Sequence, residues 1–190
     1  VTMLKVNEIF GPTFQGEGKS CGMPVSFLRL ATCNLHCFKC DTPFTWFYEG
    51  SHFKHADGVQ FKKSTEIHMM EVESVVKFLE ETGMKHLIVS GGEPLLQQVE
   101  LIKLFKLLKE LGWFLEVETN GTQIPIQEFV DIVDQINCSP KLDGSFSGES
   151  EKVRIKKDAL TALSNIEKVN FKFVIAEPQN IEEVLRLNRE

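Results

Sequence analysis

The chain has 190 residues, 42% hydrophobic and 25% charged, with a formal charge of -6. That length fits one domain burying roughly 70% of its unfolded surface, and the acidic balance argues against a broad nucleic-acid-binding face, which needs clustered Lys and Arg. No run of about 18 apolar residues and no signal-peptide pattern occurs, so a membrane or secreted protein is not expected and a cytoplasmic one is.

Residues 4–10 read as a short strand or edge segment. Gly11-Pro12-Thr13-Phe14-Gln15-Gly16-Glu17-Gly18 follows, three glycines and a proline in eight positions, which predicts a shaped loop rather than a helix or strand. Gln15 and Glu17 alternate with glycines, so backbone and side chains can come close to a ligand, and an amide beside a carboxylate suits the donor edge of a purine- or pterin-like ring. A plain surface turn is the simpler reading of such loops. Residues 25–30 alternate as a half-buried strand carrying Arg29, which either snorkels to solvent or grips a carboxylate bidentately.

Cys33, Cys37 and Cys40 come next, spaced C-x3-C-x2-C directly after that strand. Thiols this close cannot all project from one strand or helix face, but they converge where a loop wraps a metal. Three cysteines leave an iron–sulfur cubane one ligand short, so one iron stays open to something other than protein. Zinc sites with a C-x2-C pair usually recruit a second pair, and the remaining thiols of the five, Cys21 and Cys138, are isolated. An odd cysteine count with three clustered points to metal ligands in a reducing compartment, not to a disulfide framework.

The aromatic run Phe44-Thr45-Trp46-Phe47-Tyr48 is expected to exclude water from that loop. Residues 49–63 read as an exposed excursion in which His52 and His55 are solvated. A helix is predicted from Thr65 as N-cap to Gly83 as stop signal, with Val72, Val75, Val76, Phe78 and Leu79 on its apolar face. Strands over 86–90, 114–118, 136–138 and 169–175 alternate with helices over 96–111, 126–133, 159–166 and 181–188, and 142–150 reads as loop. Strand–helix alternation implies parallel strands with right-handed crossovers. The cysteines, Gly91-Gly92-Glu93, Glu118-Thr119-Asn120-Gly121 and Ser139-Pro140-Lys141 each follow a strand, which puts them at the carboxyl edge where α/β sites form.

C-x3-C-x2-C followed by a strand-end Gly-Gly-Glu-Pro resembles the radical S-adenosylmethionine superfamily. The stretch Glu8-Ile9-Phe10-Gly11-Pro12-Thr13-Phe14-Gln15-Gly16-Glu17-Gly18, with Phe27-Leu28-Arg29, Cys40-Asp41-Thr42, Ser90-Gly91-Gly92-Glu93-Pro94, Glu118-Thr119-Asn120-Gly121 and Ser139-Pro140-Lys141, is similar to the 7-carboxy-7-deazaguanine synthase family. The resemblance implies a partial parallel (β/α) barrel, in abbreviated form, as a single domain over residues 1–190. It implies a lyase that converts 6-carboxy-5,6,7,8-tetrahydropterin to 7-carboxy-7-deazaguanine with release of ammonia, on the route to queuosine and related 7-deazapurines. By position, Cys33, Cys37 and Cys40 would hold a 4Fe-4S cluster and Thr42 a Mg²⁺ ion. Lys39, Cys40, Asp41, Gly92, Glu93, Ser139, Pro140 and Lys141 would contact S-adenosylmethionine. Phe14, Gln15, Gly16, Glu17, Arg29 and Ser90 would bind the pterin.

No catalytic side chain is implied, because the cofactor carries the radical. An electron donor such as flavodoxin and a homodimer are implied by analogy only. The family's C-terminal stretch has no counterpart before Glu190, so either it is missing from the chain or the pocket is completed differently. The alternatives are a glycyl-radical enzyme activating protein, which leaves Gln15, Glu17 and Arg29 without a role, and a non-catalytic iron–sulfur module, which leaves the Gly-Gly-Glu and Ser-Pro-Lys loops unexplained.

Overall fold

The computed structural model describes residues 1–144 and 146–189; Ser145, in the expected 142–150 loop, and Glu190, the end of the expected domain, lie outside the described residues. β1 (Met3–Phe14) and β2 (Pro24–Leu30) pair antiparallel, with Glu8 opposite Arg29. β1 is longer than expected: Gly11, Thr13 and Phe14 belong to the strand rather than to a loop. Glycine is required at position 11 because the strands approach closely there, and a Cβ would fall 2.5 Å from Ser26 Oγ.

The helix expected from Thr65 is three elements: α1 (Lys63–Glu66), β3 (His68–Glu71) and α2 (Val72–Glu81). Residues 68–71 lie antiparallel along Met3 to Val6 of β1, so strand pairing at the sheet edge overrides the helical reading. Val72, Val75 and Leu79 are buried as the spacing predicts, whereas Phe78 is exposed. Gly83, with φ +72°, follows α2.

β4 (His86–Gly91), α3 (Gln98–Glu110), β5 (Phe114–Thr119), α4 (Gln127–Ile132) and β6 (Gln135–Cys138) continue the alternation close to the expected bounds. A short helix, α5 (Glu151–Arg154), was not legible in the sequence; α6 (Lys157–Ser164), β7 (Val169–Phe171) and α7 (Gln179–Leu187) follow. β7 stops at Phe171, short of the expected Ile175; it is the last strand in the sheet, and Val174 and Ile175 are exposed.

The seven strands form one open sheet in the order β3-β1-β2-β4-β5-β6-β7, with β2 and β4 to β7 all parallel. Its two faces differ because side chains alternate along each strand. Leu28, Leu30, Leu87, Val89, Leu115, Val117 and Ile136 turn to the core with Leu101, Leu104, Phe105 and Leu108 of α3. Arg29, Ser90, Glu116, Glu118 and Asn137, at the intervening positions, form the polar face. Register then sets the site: Leu30 pairs with Gly91, Thr119 with Cys138 and Cys138 with Phe171. The segments that follow these residues therefore leave the sheet at one edge.

Candidate active site

Those segments enclose a cavity of about 370 Å³. Among its lining residues are Cys33, Cys37 and Cys40, with Asp41, Thr42, Ser90, Gly92, Ser139 and Lys141; among the described residues no three His, Cys, Asp or Glu side chains stand close enough together to hold a single metal ion. Gln15, Gly16, Glu17 and Arg29 line it from the β1–β2 side. Of the other expected contacts, Glu93 is fully buried beneath the cavity wall, Phe14 is 67% exposed, and Lys39 and Pro140 lie outside the lining.

The cysteine loop begins with Thr32, whose φ of +78° is rare for a β-branched residue. Thr32 N donates to Thr45 O at 2.7 Å, and Thr32 O accepts from Glu93 N at 2.9 Å. These bonds tie the start of the loop to the aromatic run and to the end of β4. Gly92 permits that contact, since a Cβ there would sit 1.8 Å from Thr32 O. Burial pushes the Cys33 thiol up to about 12 and the Cys37 thiol up to about 11, so metal-free they keep their protons at neutral pH and a thiophilic metal must displace them. Three soft donors lining one cavity, with the buried Trp46 ring in the same lining, fit an iron–sulfur cluster. The Thr42 hydroxyl lies 3.6 Å from Cys40 Sγ, joining the expected magnesium ligand to the third cysteine.

Glu93 stiffens the edge from below. Its carboxylate accepts from Thr119 Oγ1 at 2.7 Å, Asn120 N at 2.7 Å and Leu95 N at 3.0 Å, linking the ends of β4 and β5. Lys141 Nζ lies 3.4 Å from Ser139 Oγ, so the Ser-Pro-Lys segment turns its cation back into the cavity.

The polar sheet face carries residues that motif reading left unassigned. Gln15 Nε2 donates to Glu116 Oε1 and to Glu118 Oε1, both at 3.2 Å. Glu116 also accepts from Asn137 Nδ2 at 2.5 Å and lies 2.9 Å from His86 Nε2. Burial alone would raise the Glu116 carboxyl, but hydrogen bonds with His86, Ser20, Gln15 and Asn137 outweigh it and hold the group below the usual carboxylate range. Ser90 Oγ donates to Glu118 Oε2 at 2.6 Å. Glu17 instead pairs with Lys172 at 2.6 Å, so the carboxylates next to Gln15 in space are those of Glu116 and Glu118, 101 and 103 residues away along the chain. The signal for Glu116 and Glu118 was present in the sequence as two acids at alternate positions of a strand, a pattern that only a polar sheet face accommodates.

The family model described as a 4Fe-4S single cluster domain matches residues 14–164. Proteins named 7-carboxy-7-deazaguanine synthase are similar over much of the chain. The one from Pyrobaculum aerophilum is 34% identical over 184 residues, covering 96% of this chain and 72% of the relative. That from Halobacterium salinarum is 30% identical, covering 95% and 67%, and that from Bacillus subtilis is 36% identical, covering 73% and 51%. The chain thus spans about half the length of the Bacillus relative and more of the others. The crystal structure of QueE from Escherichia coli is similar at a TM-score of 0.72 and 26% identity, covering 98% of this chain and 78% of that one. No helix among the described residues is long and apolar enough to cross a membrane.

Proposed function

The chain belongs to the 7-carboxy-7-deazaguanine synthase family, and we propose that residues 1–190 act as one radical S-adenosylmethionine domain that converts 6-carboxy-5,6,7,8-tetrahydropterin to 7-carboxy-7-deazaguanine, releasing ammonia on the way to queuosine and related 7-deazapurines. One observation carries the reading: a soft-metal donor set, Cys33, Cys37 and Cys40, shares a single cavity with Gln15, Arg29, Ser90 and Glu118. Cys33, Cys37 and Cys40 would hold the 4Fe-4S cluster, with Lys39, Asp41, Gly92, Ser139, Pro140 and Lys141 around S-adenosylmethionine and Glu93 bracing that wall from beneath. When bound, the cluster supplies the electron that opens S-adenosylmethionine and starts radical chemistry on the substrate.

The chain's own residues position the substrate and keep water out. Arg29, fixed through Nε by Glu8 at 2.7 Å, offers its charge to the substrate carboxylate. Gln15 has committed its amide nitrogen to Glu116 and Glu118, which leaves its carbonyl oxygen to accept from ring N–H groups. Glu118, oriented by the Ser90 hydroxyl, is a second acceptor. Phe14, Gly16 and Glu17 complete the substrate side. Thr42 would ligate Mg²⁺, the other positions going to substrate oxygens and water, as is usual for this ion. An electron donor such as flavodoxin, a cytoplasmic location and a homodimer belong to the same proposal and rest on family analogy.

Anaerobic reconstitution tests it. A brown chain with about four irons that turns the carboxylated tetrahydropterin into its deazapurine product is the expected result. A chain that cleaves S-adenosylmethionine only when given a protein substrate would overturn it in favour of a glycyl-radical activase.

A further inference from the structure

The excursion after the aromatic run is largely exposed, as its composition predicts, but one of its two histidines is not solvated. His55 is 6% exposed, with Trp46 and Phe47 rings 6.2 and 5.8 Å from its own. Its Nε2 lies 2.9 Å from Cys40 O, and Asp57 N donates to its Nδ1 at 3.2 Å. A ring nitrogen that accepts from a backbone N–H carries no proton, so this network assigns the hydrogen to Nε2 and makes His55 the donor to Cys40. The neighbouring residue repeats the contact: Ala56 N donates to Phe38 O at 2.8 Å. Phe53 stacks on His36 with ring centroids 3.5 Å apart and planes 6° from parallel.

All three contacts fall on the cysteine loop, between Cys33 and Cys40. The other side of that loop is held separately. Phe38 N and Lys39 N donate to Ser147 O and Phe146 O at 2.9 Å each, and His36 N donates to Glu149 Oε1 at 2.9 Å. The loop is therefore gripped from two directions, and one grip comes from a segment outside every motif of the sequence.

We propose that residues 53–56 form a clamp on the cysteine loop, with His55 as the positioning residue that fixes the Cys40 peptide and so presets its thiol for the cluster. The proposal rests on the reading of Cys33, Cys37 and Cys40 as cluster ligands. Its physical basis is preorganisation: a ligand whose backbone is already fixed loses less conformational freedom when metal binds. Loss of a partner that orients a metal ligand typically lowers metal affinity about 10- to 100-fold.

The test compares anaerobically reconstituted wild type with His55→Ala, His55→Gln, Phe53→Ala and Cys40→Ala. The readouts are iron per chain, the chelator concentration that strips half the iron, the EPR spectrum of the reduced cluster, and thermal unfolding of the metal-free chains. In His55→Ala that chelator concentration falls about tenfold and the EPR line shape changes; in His55→Gln, which keeps an N–H donor, both return toward wild type. Phe53 is partly exposed, so Phe53→Ala leaves the metal-free fold intact and moves chelator sensitivity the same way by less, which keeps the test valid if His55→Ala unfolds. Wild-type chelator resistance and EPR in both His55→Ala and Phe53→Ala overturn the clamp. Full iron in Cys40→Ala overturns the ligand assignment and the clamp with it, whereas iron loss there beside an unaffected His55→Ala overturns the clamp alone.

Discussion

Arg29 and Glu8 stand directly opposite each other across the β1–β2 pair, and the Arg29 Nε donates to Glu8 Oε1 at 2.7 Å. The guanidinium carbon also lies 5.9 Å from the ring centroids of both Phe10 and Phe44. The side chain is thus oriented before any ligand arrives, with its charge at the cavity wall.

Arg29→Ala is expected to raise KM for the tetrahydropterin by about 10- to 100-fold, the equivalent of losing a charge-assisted hydrogen bond worth about 1.5–3 kcal/mol. Iron content and uncoupled cleavage of S-adenosylmethionine should stay at wild-type levels. Arg29→Lys should not restore KM, because an ammonium cannot present the guanidinium fork. Wild-type steady-state kinetics in Arg29→Ala would remove Arg29 from the substrate site.

Glu116 gives the fold a pH dependence of known sign. Its folded carboxyl is held below the usual range by the hydrogen bonds around it, so between the folded and unfolded values the unfolded chain binds more protons. The contribution is complete above the ordinary carboxylate value and is lost as pH falls through the lowered one. Glu116→Gln should cost about 1–3 kcal/mol at pH 7, and the gap to wild type should narrow on acidification. Denaturant midpoints measured from neutral pH down through the carboxylate range check this; parallel curves for the two proteins would refute it.

Two glycines make a contrasting pair. At Gly92 a Cβ would lie 1.8 Å from Thr32 O, a backbone atom, whereas at Gly16 it would meet nothing within 4 Å. Gly92→Ala should lower stability by about 1–3 kcal/mol and weaken S-adenosylmethionine binding, because β4 and the cysteine loop must part. Gly16→Ala should leave unfolding unchanged and raise KM for the pterin alone. Unfolding curves and equilibrium binding of S-adenosylmethionine separate the two effects.

Omitting Mg²⁺ should slow turnover of the wild type and leave Thr42→Ala, already slow, largely indifferent to the ion. A wild type equally fast without Mg²⁺ would exclude Thr42 as a metal ligand. Because the Thr42 hydroxyl is 3.6 Å from Cys40 Sγ, the EPR spectrum of the variant should be recorded alongside, to detect any change at the cluster itself.

The sequence by itself determined what depends on local spacing. Three thiols in eight residues can only converge in a loop, glycines mark where chain passes close to chain, and alternating strand and helix patterns place four polar motifs at one sheet edge. Those inferences hold because period, turn chemistry and ligand type are properties of short segments. Tertiary structure decided which groups face each other. Residues 68–71 became a strand only because the edge of β1 offered hydrogen bonds, and β7 ended at Phe171, the last strand of the sheet. The alternation of Glu116 and Glu118 marks a polar strand face in sequence, but only parallel register sets them under Gln15, about 100 residues away. His55 sits in a polar stretch but is buried, because its ring packs against both Trp46 and Phe47 with a carbonyl in reach. Burial is a property of what packs opposite, and no local pattern around His55 records it.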